Sequence, residues 1–562
     1  MRRKLPIILT ILLSGMLLAG VHPVSAAFAG ITSWTEGPYR KVYQDDTRPG
    51  GASTGVVWDA VRNESQSSQL LLRSDTGFTV TAVRFTGLSG PRRIAAASLS
   101  YHFQDYYRPT ANGPHEPDPL SNDTSRTVAA NSTQGVWITV SVPKGQAAGA
   151  YSGSVDVVTS AGTVTFPIAL TVHAAEIPDT IDSEYNYGTW NTLFNDYADV
   201  DGSIIGDDIK NQYGYQRYSP QWWTLIGNVA REMKAQRQNQ VSMSLDTLAD
   251  AGTRLDGQTY TFNWTIFDRF LQTFVDQGAV RTFRGPALVN AGPVEGGTGQ
   301  VWTIDSAGKV AQEPVGSVAA NRWLDQYLPA LKAHLDAKGW TARWFQTVSD
   351  EPSNPDNFAA VTQKYRAAFG SISTIQEAIN GNSTAYVGNV DIWVPSVQEH
   401  ASAPDWYAGR QALGEEVWSY TCGYCAPPED GWLDRMSSQP YYTAMEISWG
   451  NYHFGLTGFF HWGYNAWAEG GYGNPDGEAR PGDGYIVYPD PAHNTVRSSV
   501  RGLSTRDGLE DYELFRILGK SDPGKADAIA ASLVPAFDRF SDDIDLMTRQ
   551  AKELRVAAAS RK

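Results

Sequence analysis

The sequence predicts a multi-domain protein in which an all-β domain precedes a larger α/β domain. Short runs of alternating apolar and polar residues recur over residues 30–175, with turn residues between them and no helical stretch. From about residue 183, helical and strand-like runs alternate instead. The first pattern is typical of a β-sandwich, and the second of a (β/α)₈ TIM-like barrel.

The individual elements follow from these patterns. Strand-like runs of the first domain lie at residues 55–61, 68–73, 78–85, 136–142, 153–158 and 163–172, and residues 174–182 form a linker containing Pro178. In the second domain, helices are predicted at 220–236, 264–277, 319–338 and 357–369, and strands at 240–245, 341–349, 390–394, 416–421 and 456–462. Residues 523–559 predict one long amphipathic C-terminal helix. The predicted domains are 27–177, 178–522 and 523–562.

The N-terminal residues have the pattern of a secretory signal peptide. Arg2, Arg3 and Lys4 precede an apolar stretch over residues 5–18, and small residues at 24–26 fit a cleavage site. The apolar stretch is short and interrupted by Pro6, and no later segment is apolar enough to span a bilayer. We therefore expect residues 1–26 to be removed, and the protein to be secreted without a membrane anchor.

The composition excludes some classes of partner and favours another. The 562 residues carry a formal charge of −15, which disfavours nucleic acid and anionic membranes because both require a basic surface. Aromatic residues make up 12% of the chain, with 18 Trp and 27 Tyr. Such rings can fill a core, and they can also stack on sugars, so a carbohydrate substrate is one expectation. No oligomeric state is predicted.

The tripeptide Asp350-Glu351-Pro352 is the strongest indication of chemistry. It follows a run of β-branched and aromatic residues, so both carboxylates lie at the carboxyl end of a predicted strand, where barrel enzymes place their active sites. Neighbouring carboxylates repel, which raises one of the two pKa values. A helix cap followed by a first-turn acid is the structural alternative.

Two further groups of residues have both a structural and a functional interpretation. The aromatic and amide side chains at or beyond the later predicted strands are candidates for pocket walls or for packing between strands and helices: Trp393, Trp418, Tyr420, Trp462, Tyr464, Asn465 and Trp467. The two cysteines, Cys422 and Cys425, predict a local disulfide or two inert thiols rather than a redox or zinc site. Asp199, Asp201 and Asp208 fit an EF-hand frame poorly, so chance or a weak surface calcium site is favoured over an EF-hand, and no metal centre and no other cofactor is expected.

The second half of the chain resembles the catalytic domain of glycoside hydrolase family 123, the β-N-acetylgalactosaminidase family, and the first half resembles that family's N-terminal sandwich. The resemblance is carried in order along most of the mature chain, by residues 62–64, 136–137, 142–144, 148–153, 237–239, 262–270, 350–352, 390–395, 458–467, 482–489 and 501–514. It implies a hydrolase acting on terminal β-linked N-acetylgalactosamine.

The resemblance also implies a retaining, substrate-assisted mechanism, in which the 2-acetamido oxygen of the sugar attacks the anomeric carbon. In this interpretation Asp350 stabilises the acetamido group as it becomes an oxazolinium ion, and Glu351 is the general acid and base. Glu351 is then expected to have the raised pKa, while Asp350 stays ionised. The acidic residues Asp507, Glu510, Asp511 and Glu513 are structural in this resemblance.

Two other functions remain open at this point. A related exo-glycosidase could act on a sugar without an acetamido group, with residues 347–349 shaping a different pocket. A non-catalytic carbohydrate-binding protein could be built on the same scaffold, because fold does not determine function. The intact pair Asp350 and Glu351 favours an enzyme.

Overall fold

The computed structural model describes residues 30–110, 113–194, 197–198, 204–205, 208–290, 299–370, 374–379, 383–468, 472–473 and 480–560. The predicted signal peptide lies outside these ranges, as do Asp199 and Asp201 of the EF-hand frame. In the described parts of the chain, no helix has the length and apolar character needed to cross a membrane.

The N-terminal domain is built from ten strands in two sheets. The strands are β1 Thr32–Glu36, β2 Val56–Arg62, β3 Ser65–Arg73, β4 Phe78–Phe85, β5 Leu99–Gln104, β6 Leu120–Ser121, β7 Arg126–Val128, β8 Thr133–Ser141, β9 Gly149–Thr159 and β10 Gly162–Glu176. Their orders are β1-β3-β8-β5-β6 and β2-β10-β9-β4-β7. Alternate side chains of both sheets, such as Leu70, Val136, Val155 and Phe166, are buried in one shared core. The sandwich predicted from the alternating pattern is therefore present.

The second domain contains eighteen described strands, most of them short. They are β11 Asn186–Thr189, β12 Tyr197–Ala198, β13 Ile204–Ile205, β14 Gln240–Ser242, β15 Arg254–Asp256, β16 Thr259–Thr261, β17 Thr282–Gly285, β18 Val289–Asn290, β19 Gln300–Ile304, β20 Val310–Pro314, β21 Trp344–Gln346, β22 Gln376–Glu377, β23 Ile392–Trp393, β24 Glu416–Val417, β25 Ser419–Thr421, β26 Gly458–His461, β27 Tyr488–Asp490 and β28 Thr495–Arg497.

Twelve α-helices are described in the same domain and its C-terminal extension. They are α1 Asp208–Tyr213, α2 Pro220–Ala235, α3 Asp246–Ala249, α4 Thr265–Asp276, α5 Val318–Lys338, α6 Pro355–Phe369, α7 Val397–Ser402, α8 Pro404–Ala412, α9 Tyr442–His453, α10 Val500–Gly519, α11 Pro523–Leu533 and α12 Ile544–Ala559. Side-chain caps define several starts: Ser219 accepts from the Trp222 N–H at α2, and Ser317 from the Ala320 N–H at α5.

The central sheet is parallel and only in part the barrel that the sequence predicts. Six strands pair in the order β21-β17-β14-β11-β26-β25, and β22, β23 and β24 form a separate parallel sheet. Single parallel bridges join the two sheets, from Gln346 to Ile375 and from Ser396 to Tyr420. The parallel strands and intervening helices of the predicted (β/α)₈ TIM-like barrel are thus present. A full barrel is not confirmed, because the hydrogen-bonded ladder between the strands is interrupted.

Three features differ from the sequence expectations. The C-terminal tail is two helices, α11 and α12, because helix α11 ends at Leu533. The chain then turns back, and the Ser541 N–H donates to the Leu533 carbonyl. The predicted strand at 341–349 is a 3₁₀ turn followed by the three-residue β21. The strands β11, β17 and β22 were not predicted, because each is short and contains glycine or polar residues.

Helix α10 joins the sandwich to the parallel sheet through a buried ion pair. Asp118 belongs to the N-terminal domain and is fully buried, and its Oδ2 accepts from Arg501 Nε at 2.8 Å. The Arg501 guanidinium also donates to the carbonyls of Arg435 and Gly482. These hydrogen bonds give the guanidinium and the carboxylate partners within the protein, which stabilises the two charges out of water.

A second buried network ties the C-terminal helix to the same junction. Arg555 of α12 donates from Nε to Glu64 Oε1 at 2.8 Å and from Nη2 to Asp511 Oδ1 at 3.1 Å. Glu64 follows β2 of the sandwich and its Oε2 accepts from the Val61 N–H at 2.6 Å, while Asp511 lies on α10. All three charged side chains are buried, so the network holds three parts of the chain together. Asp511 is therefore structural.

We predict that Arg555→Met destabilises the protein by about 3–5 kcal/mol, because Glu64 and Asp511 would be left buried without their counter-charge. Urea unfolding, followed by tryptophan fluorescence, measures the change. Arg549→Met is the matched control: Arg549 lies on the same helix, is 63% exposed and faces Asp543 at 3.9 Å, so its loss should cost less than about 1 kcal/mol. Equal effects of the two substitutions would contradict a structural role for the buried network.

Candidate active site

Asp350 and Glu351 lie just beyond β21, at the carboxyl edge of the parallel sheet. Asp350 is mostly buried and Glu351 is exposed, so the pair points one carboxylate into the protein and one toward solvent. Glu351 has a φ of 41°, in the left-handed region that side-chain-bearing residues rarely adopt, and Pro352 follows it. Backbone strain of this kind is concentrated at functional sites, where the surrounding structure enforces it.

The pKa of Asp350 is raised to about 7, mainly by burial and next by the nearby carboxylate of Glu351, while the Arg284 guanidinium acts in the opposite direction. The expected consequence of two adjacent carboxylates, a raised pKa in one of them, is thus present. The raised value falls on Asp350, however, whereas the sequence analysis expected Asp350 to stay ionised. Its position, with the side chain turned inward, is the physical reason.

Glu377 supports the backbone that carries Asp350. Its Oε1 accepts the N–H groups of Val348 and of Ser349, the latter at 3.3 Å, and the residue is fully buried at the end of β22. Burial raises the pKa of Glu377 well above its usual range, which favours the neutral form of this carboxyl. Through its two hydrogen bonds, Glu377 fixes the backbone that follows β21.

Arg284 supplies the positive charge on the other side of Asp350. It lies on β17, is buried, and its Cζ is 4.8 Å from the ring centre of Trp190 and 4.6 Å from that of Phe460. The two ring centres are 5.8 Å apart and the rings are nearly perpendicular, so the guanidinium packs against both of them. Its charge lowers the pKa of Asp350, an effect smaller than those of burial and of Glu351, which raise it.

Tyr420 and Trp462 are the two predicted pocket residues that the structure brings to this region. Tyr420 is buried, and burial together with the charges of Asp350, Glu351 and Asp483 raises its pKa well above the usual range. Trp462 is partly buried beside the same apolar cluster and hydrogen-bonds to Asp483. These two rings, with Trp190, form the aromatic surroundings of the carboxylate pair.

The other aromatic candidates are packed in the interior. Trp393 donates to Glu415 at 2.6 Å and packs edge-on against Trp406, and Trp418 donates to Glu416 at 3.0 Å. The core also contains Tyr464 and Trp467, and Trp467 donates to the Val487 carbonyl at 2.8 Å. All four rings are buried in packing between strands and helices, and a role for them in lining a pocket stays a prediction.

Asn465 has a supporting position. It is fully buried, and its Oδ1 accepts from the Thr192 N–H at 3.0 Å while its carbonyl accepts from the Thr192 hydroxyl. It therefore fixes the loop after β11, two residues beyond Trp190. Asp208, the one described acid of the EF-hand frame, accepts from the Ala468 N–H at 2.8 Å and from the Thr192 hydroxyl, so it serves the same loop.

Asp434, His461 and Asp483 form a buried trio beneath Trp462, and their donor atoms lie within 4.8 Å of one another. His461 Nδ1 accepts from the Gly463 N–H at 3.1 Å. The neutral ring therefore carries its proton on Nε2, which faces Asp434 at 3.7 Å and Asp483 at 3.5 Å. Neither contact is a hydrogen bond in the described residues, where His461 Nε2 is a buried atom without a hydrogen-bond partner.

The structure pairs Cys422 with Cys425 in a disulfide whose Cα atoms are 5.3 Å apart. The pair directly follows β25 and packs against the cluster that contains Tyr420 and Phe460. Of the two alternatives in the sequence analysis, the local disulfide is the one that the structure contains. It closes a four-residue turn at the same edge of the sheet as Asp350.

The acidic run on α10 is structural, as the family resemblance implies. Asp507 accepts from Arg506 at 2.6 Å, and Glu510 accepts from Arg237 at 2.7 Å and from the Ser65 N–H. Glu513 accepts from the Ser183 hydroxyl at 2.6 Å. These acids are buried at the junction of the domains, away from the edge of the sheet that carries Asp350.

Sequence reasoning did not identify Trp190, Arg284, Glu377 or Asp483. The first three belong to strands or strand ends that were not predicted, β11, β17 and β22. A signal was nevertheless present: a charged residue inside a short strand-like run, as in residues 282–285 and 374–377, is costly unless a partner is nearby.

Comparison with known proteins gives the family. Residues 206–518 match the family model described as glycoside hydrolase 123, catalytic domain, and residues 39–159 match the glycoside hydrolase 123 N-terminal domain. No curated protein matches the sequence.

Among solved structures, a family 123 glycoside hydrolase from Clostridium perfringens, described in connection with glycolipid glycan hydrolysis, is similar over 94% of this chain and 97% of its own, with a TM-score of 0.72 and 16% identity. Weaker similarity is found to an endo-β-1,4-mannanase from Thermotoga petrophila, with a TM-score of 0.34, 9% identity and coverage of 60% of this chain and 78% of the other. A β-glucuronidase from Parabacteroides merdae has a TM-score of 0.30 at 8% identity, covering 86% and 52%. The catalytic-domain match spans more than half of the sequence, and the chain therefore belongs to glycoside hydrolase family 123 and is a glycoside hydrolase.

Proposed function

We propose that this protein removes terminal β-linked N-acetylgalactosamine from glycans by a retaining, substrate-assisted mechanism. The observation that carries the proposal is the directly adjacent pair Asp350 and Glu351, with one residue half-buried and the other exposed. In retaining enzymes with an enzymic nucleophile the two carboxyl groups are about 5–5.5 Å apart on opposite sides of the scissile bond. Asp350 and Glu351 are neighbours in different environments, so they can have different roles on the same side of the sugar.

In this mechanism Asp350 binds the N–H of the 2-acetamido group and stabilises the positive charge that develops as the acetamido oxygen attacks the anomeric carbon. The exposed Glu351 protonates the leaving oxygen and later removes a proton from the incoming water. The buried position of Asp350, beside the aromatic rings that surround Arg284, makes its counter-charge effective because little water screens it.

The charge state of the pair changes when substrate binds. In the unliganded protein the raised pKa of Asp350 means that this carboxyl holds a proton near neutral pH. An acetamido N–H donated to Asp350 stabilises its ionised form, and the proton of Asp350 is released to solvent. Substrate with an acetamido group would thereby ionise the carboxyl that stabilises the oxazolinium ion, and a sugar with a hydroxyl at this position would do so less well.

We also propose that residues 1–26 direct export and are removed, since their pattern is that of a signal peptide. A secreted glycoside hydrolase acts on glycans outside the cell. The acidic composition, with 45 basic and 60 acidic side chains, is consistent with a carbohydrate substrate rather than a polyanion. Mass spectrometry of the protein from the culture medium would test this, since it should begin after residue 26.

Nitrophenyl glycosides test the substrate and the role of Glu351 together. We expect the β-N-acetylgalactosaminide to be hydrolysed in preference to the β-N-acetylglucosaminide and the β-galactoside. Glu351→Gln should lower kcat on it by about 10²–10⁴-fold, because proton transfer is lost, with little change in Tm. A dinitrophenyl substrate, whose leaving group needs no proton, should recover part of the first step.

Two outcomes would contradict this assignment. Preferred hydrolysis of the β-galactoside would favour the alternative of an exo-glycosidase for a sugar without an acetamido group. A Glu351→Gln protein that melts far lower, but is active when folded, would mean that Glu351 is a structural cap.

The charge state of Asp350 predicts a pH-dependent effect on stability. Because the folded-state pKa lies near 7, above the ordinary carboxyl range, the stability that Asp350 contributes is fully present only below the unfolded-state pKa of about 4 and is lost between there and pH 7. Relative to the wild type, Asp350→Asn should therefore gain about 2–3 kcal/mol of stability between pH 5 and pH 8, with no further gain above pH 8.

Thermal unfolding between pH 5 and pH 8 measures this difference. Asp356→Asn is the matched control, because Asp356 is exposed in the first turn of α6, and its substitution should change Tm little across the range. A stability difference for Asp350→Asn that stays constant with pH would show that Asp350 is ionised throughout.

A further inference from the structure

Tyr424 is a large aromatic side chain that the fold leaves in solvent. It is 72% exposed, and within the described ranges it is the one aromatic residue among the exposed large apolar side chains. The others of that group are aliphatic: Val57, Val318, Val387, Leu413 and Val556. A single exposed apolar side chain is common on protein surfaces, so the position and the support of this ring decide whether it can bind a ligand.

Its position in the chain places Tyr424 at the edge of the candidate active site. Strand β25 ends at Thr421, one residue after Tyr420, whose hydroxyl experiences the charges of Asp350 and Glu351. The turn closed by Cys422 and Cys425 follows directly. Four residues extend at most about 14 Å, so the Tyr424 backbone lies within about 14 Å of the Tyr420 backbone.

The turn is held rigidly against the rest of the site. Gly423 N–H donates to Asp483 Oδ1 at 3.0 Å. A Cβ at Gly423 would lie 2.4 Å from Arg480 Cδ and 2.9 Å from Asp483 Oδ2, so only glycine allows this close approach. Together with the disulfide, these contacts fix the direction in which the next residue projects.

The Tyr424 ring is itself positioned by Arg480. The Arg480 Cζ lies 4.4 Å from the ring centre, and the guanidinium is in turn paired with Glu429 at 2.9 Å. One face of the ring is thus occupied by the guanidinium, and the high exposure of the residue leaves the other face to solvent. An aromatic ring with one face covered by a guanidinium and the other accessible to solvent is a flat apolar surface of the size of one sugar ring.

We propose that Tyr424 is the platform for the aglycone sugar, the residue to which the terminal N-acetylgalactosamine is attached. The apolar C–H face of a hexose would stack on the open face of the ring, while the reacting sugar occupies the site beside Asp350. This inference rests on the proposed function, because it assumes a saccharide leaving group. It predicts selectivity for glycans over simple glycosides.

Two substrates separate binding of the aglycone from the chemical step. A disaccharide with β-N-acetylgalactosamine on galactose presents an aglycone ring, and methyl β-N-acetylgalactosaminide presents none. Tyr424→Ala should lower kcat/KM for the disaccharide about tenfold, mainly through KM, and leave the methyl glycoside nearly unchanged. Tyr424→Phe should behave like the wild type, since the ring is retained, and Leu413→Ala is the control for loss of an exposed apolar side chain elsewhere.

The outcomes distinguish this inference from the proposed function. Equal loss on both substrates, or no loss on either, would overturn the platform. If wild-type protein hydrolyses neither compound but cleaves another glycoside, the proposed sugar is wrong, and the same pair of disaccharide and methyl glycoside of the cleaved sugar decides the role of Tyr424. A lowered Tm in Tyr424→Ala with unchanged selectivity would show that the ring serves the disulfide turn.

Discussion

The buried charges around helix α10 are the constraint on which the rest of the structure depends. Arg501 reaches into the N-terminal domain to pair with Asp118, and Asp511 shares Arg555 with Glu64. The sandwich, the parallel sheet and the C-terminal helix each supply a charge that would be unfavourable alone in the interior. Because such charges need their partners in place, the network specifies one arrangement of the three parts. The sandwich is thereby a structural component of the hydrolase.

This arrangement also gives the active site its rigid base. The guanidinium of Arg435 donates to the Tyr187 hydroxyl at 2.8 Å and to the Gly463 carbonyl at 2.5 Å. The main-chain carbonyl of Arg435 accepts from the guanidinium of Arg501. Gly463 in turn fixes the tautomer of His461 beneath Trp462. A chain of buried, hydrogen-bonded groups therefore runs from the domain junction to the aromatic wall of the site. Groups held in this way need little reorganisation when charge develops on a substrate.

The main architecture and the pair Asp350 and Glu351 could be predicted from the sequence. The buried groups that surround this pair could not. The sandwich followed from strand alternation, and helices such as α2 and α5 from their periodicity, since these patterns are local. Arg284 and Glu377 lie on strands of two to four residues, whose pairing depends on contacts distant in sequence. The aromatic residues near the strand ends could not be sorted into wall and core, because burial is a property of the folded chain.

The division of roles between the two carboxylates likewise depends on the fold. Sequence alone gives two adjacent acids, and only the burial of Asp350 against the exposure of Glu351 makes them different. The inward carboxyl is the one whose pKa rises, which is the opposite of what a fixed assignment of acid and base would suggest. In the proposed mechanism, bound substrate determines the charge of Asp350, because an acetamido N–H donated to this carboxyl favours its ionised form.

The central claim is that the acetamido group of the substrate is the nucleophile. A series of nitrophenyl β-N-acetylgalactosaminides with one, two and three fluorines on the acetyl methyl group tests it most directly, because fluorine withdraws electrons from the attacking oxygen and changes the size of the substrate little. We predict that kcat/KM falls steeply along the series, by about tenfold or more for each added fluorine. A kcat/KM that is nearly independent of fluorination would contradict substrate assistance and would assign the nucleophile to the protein.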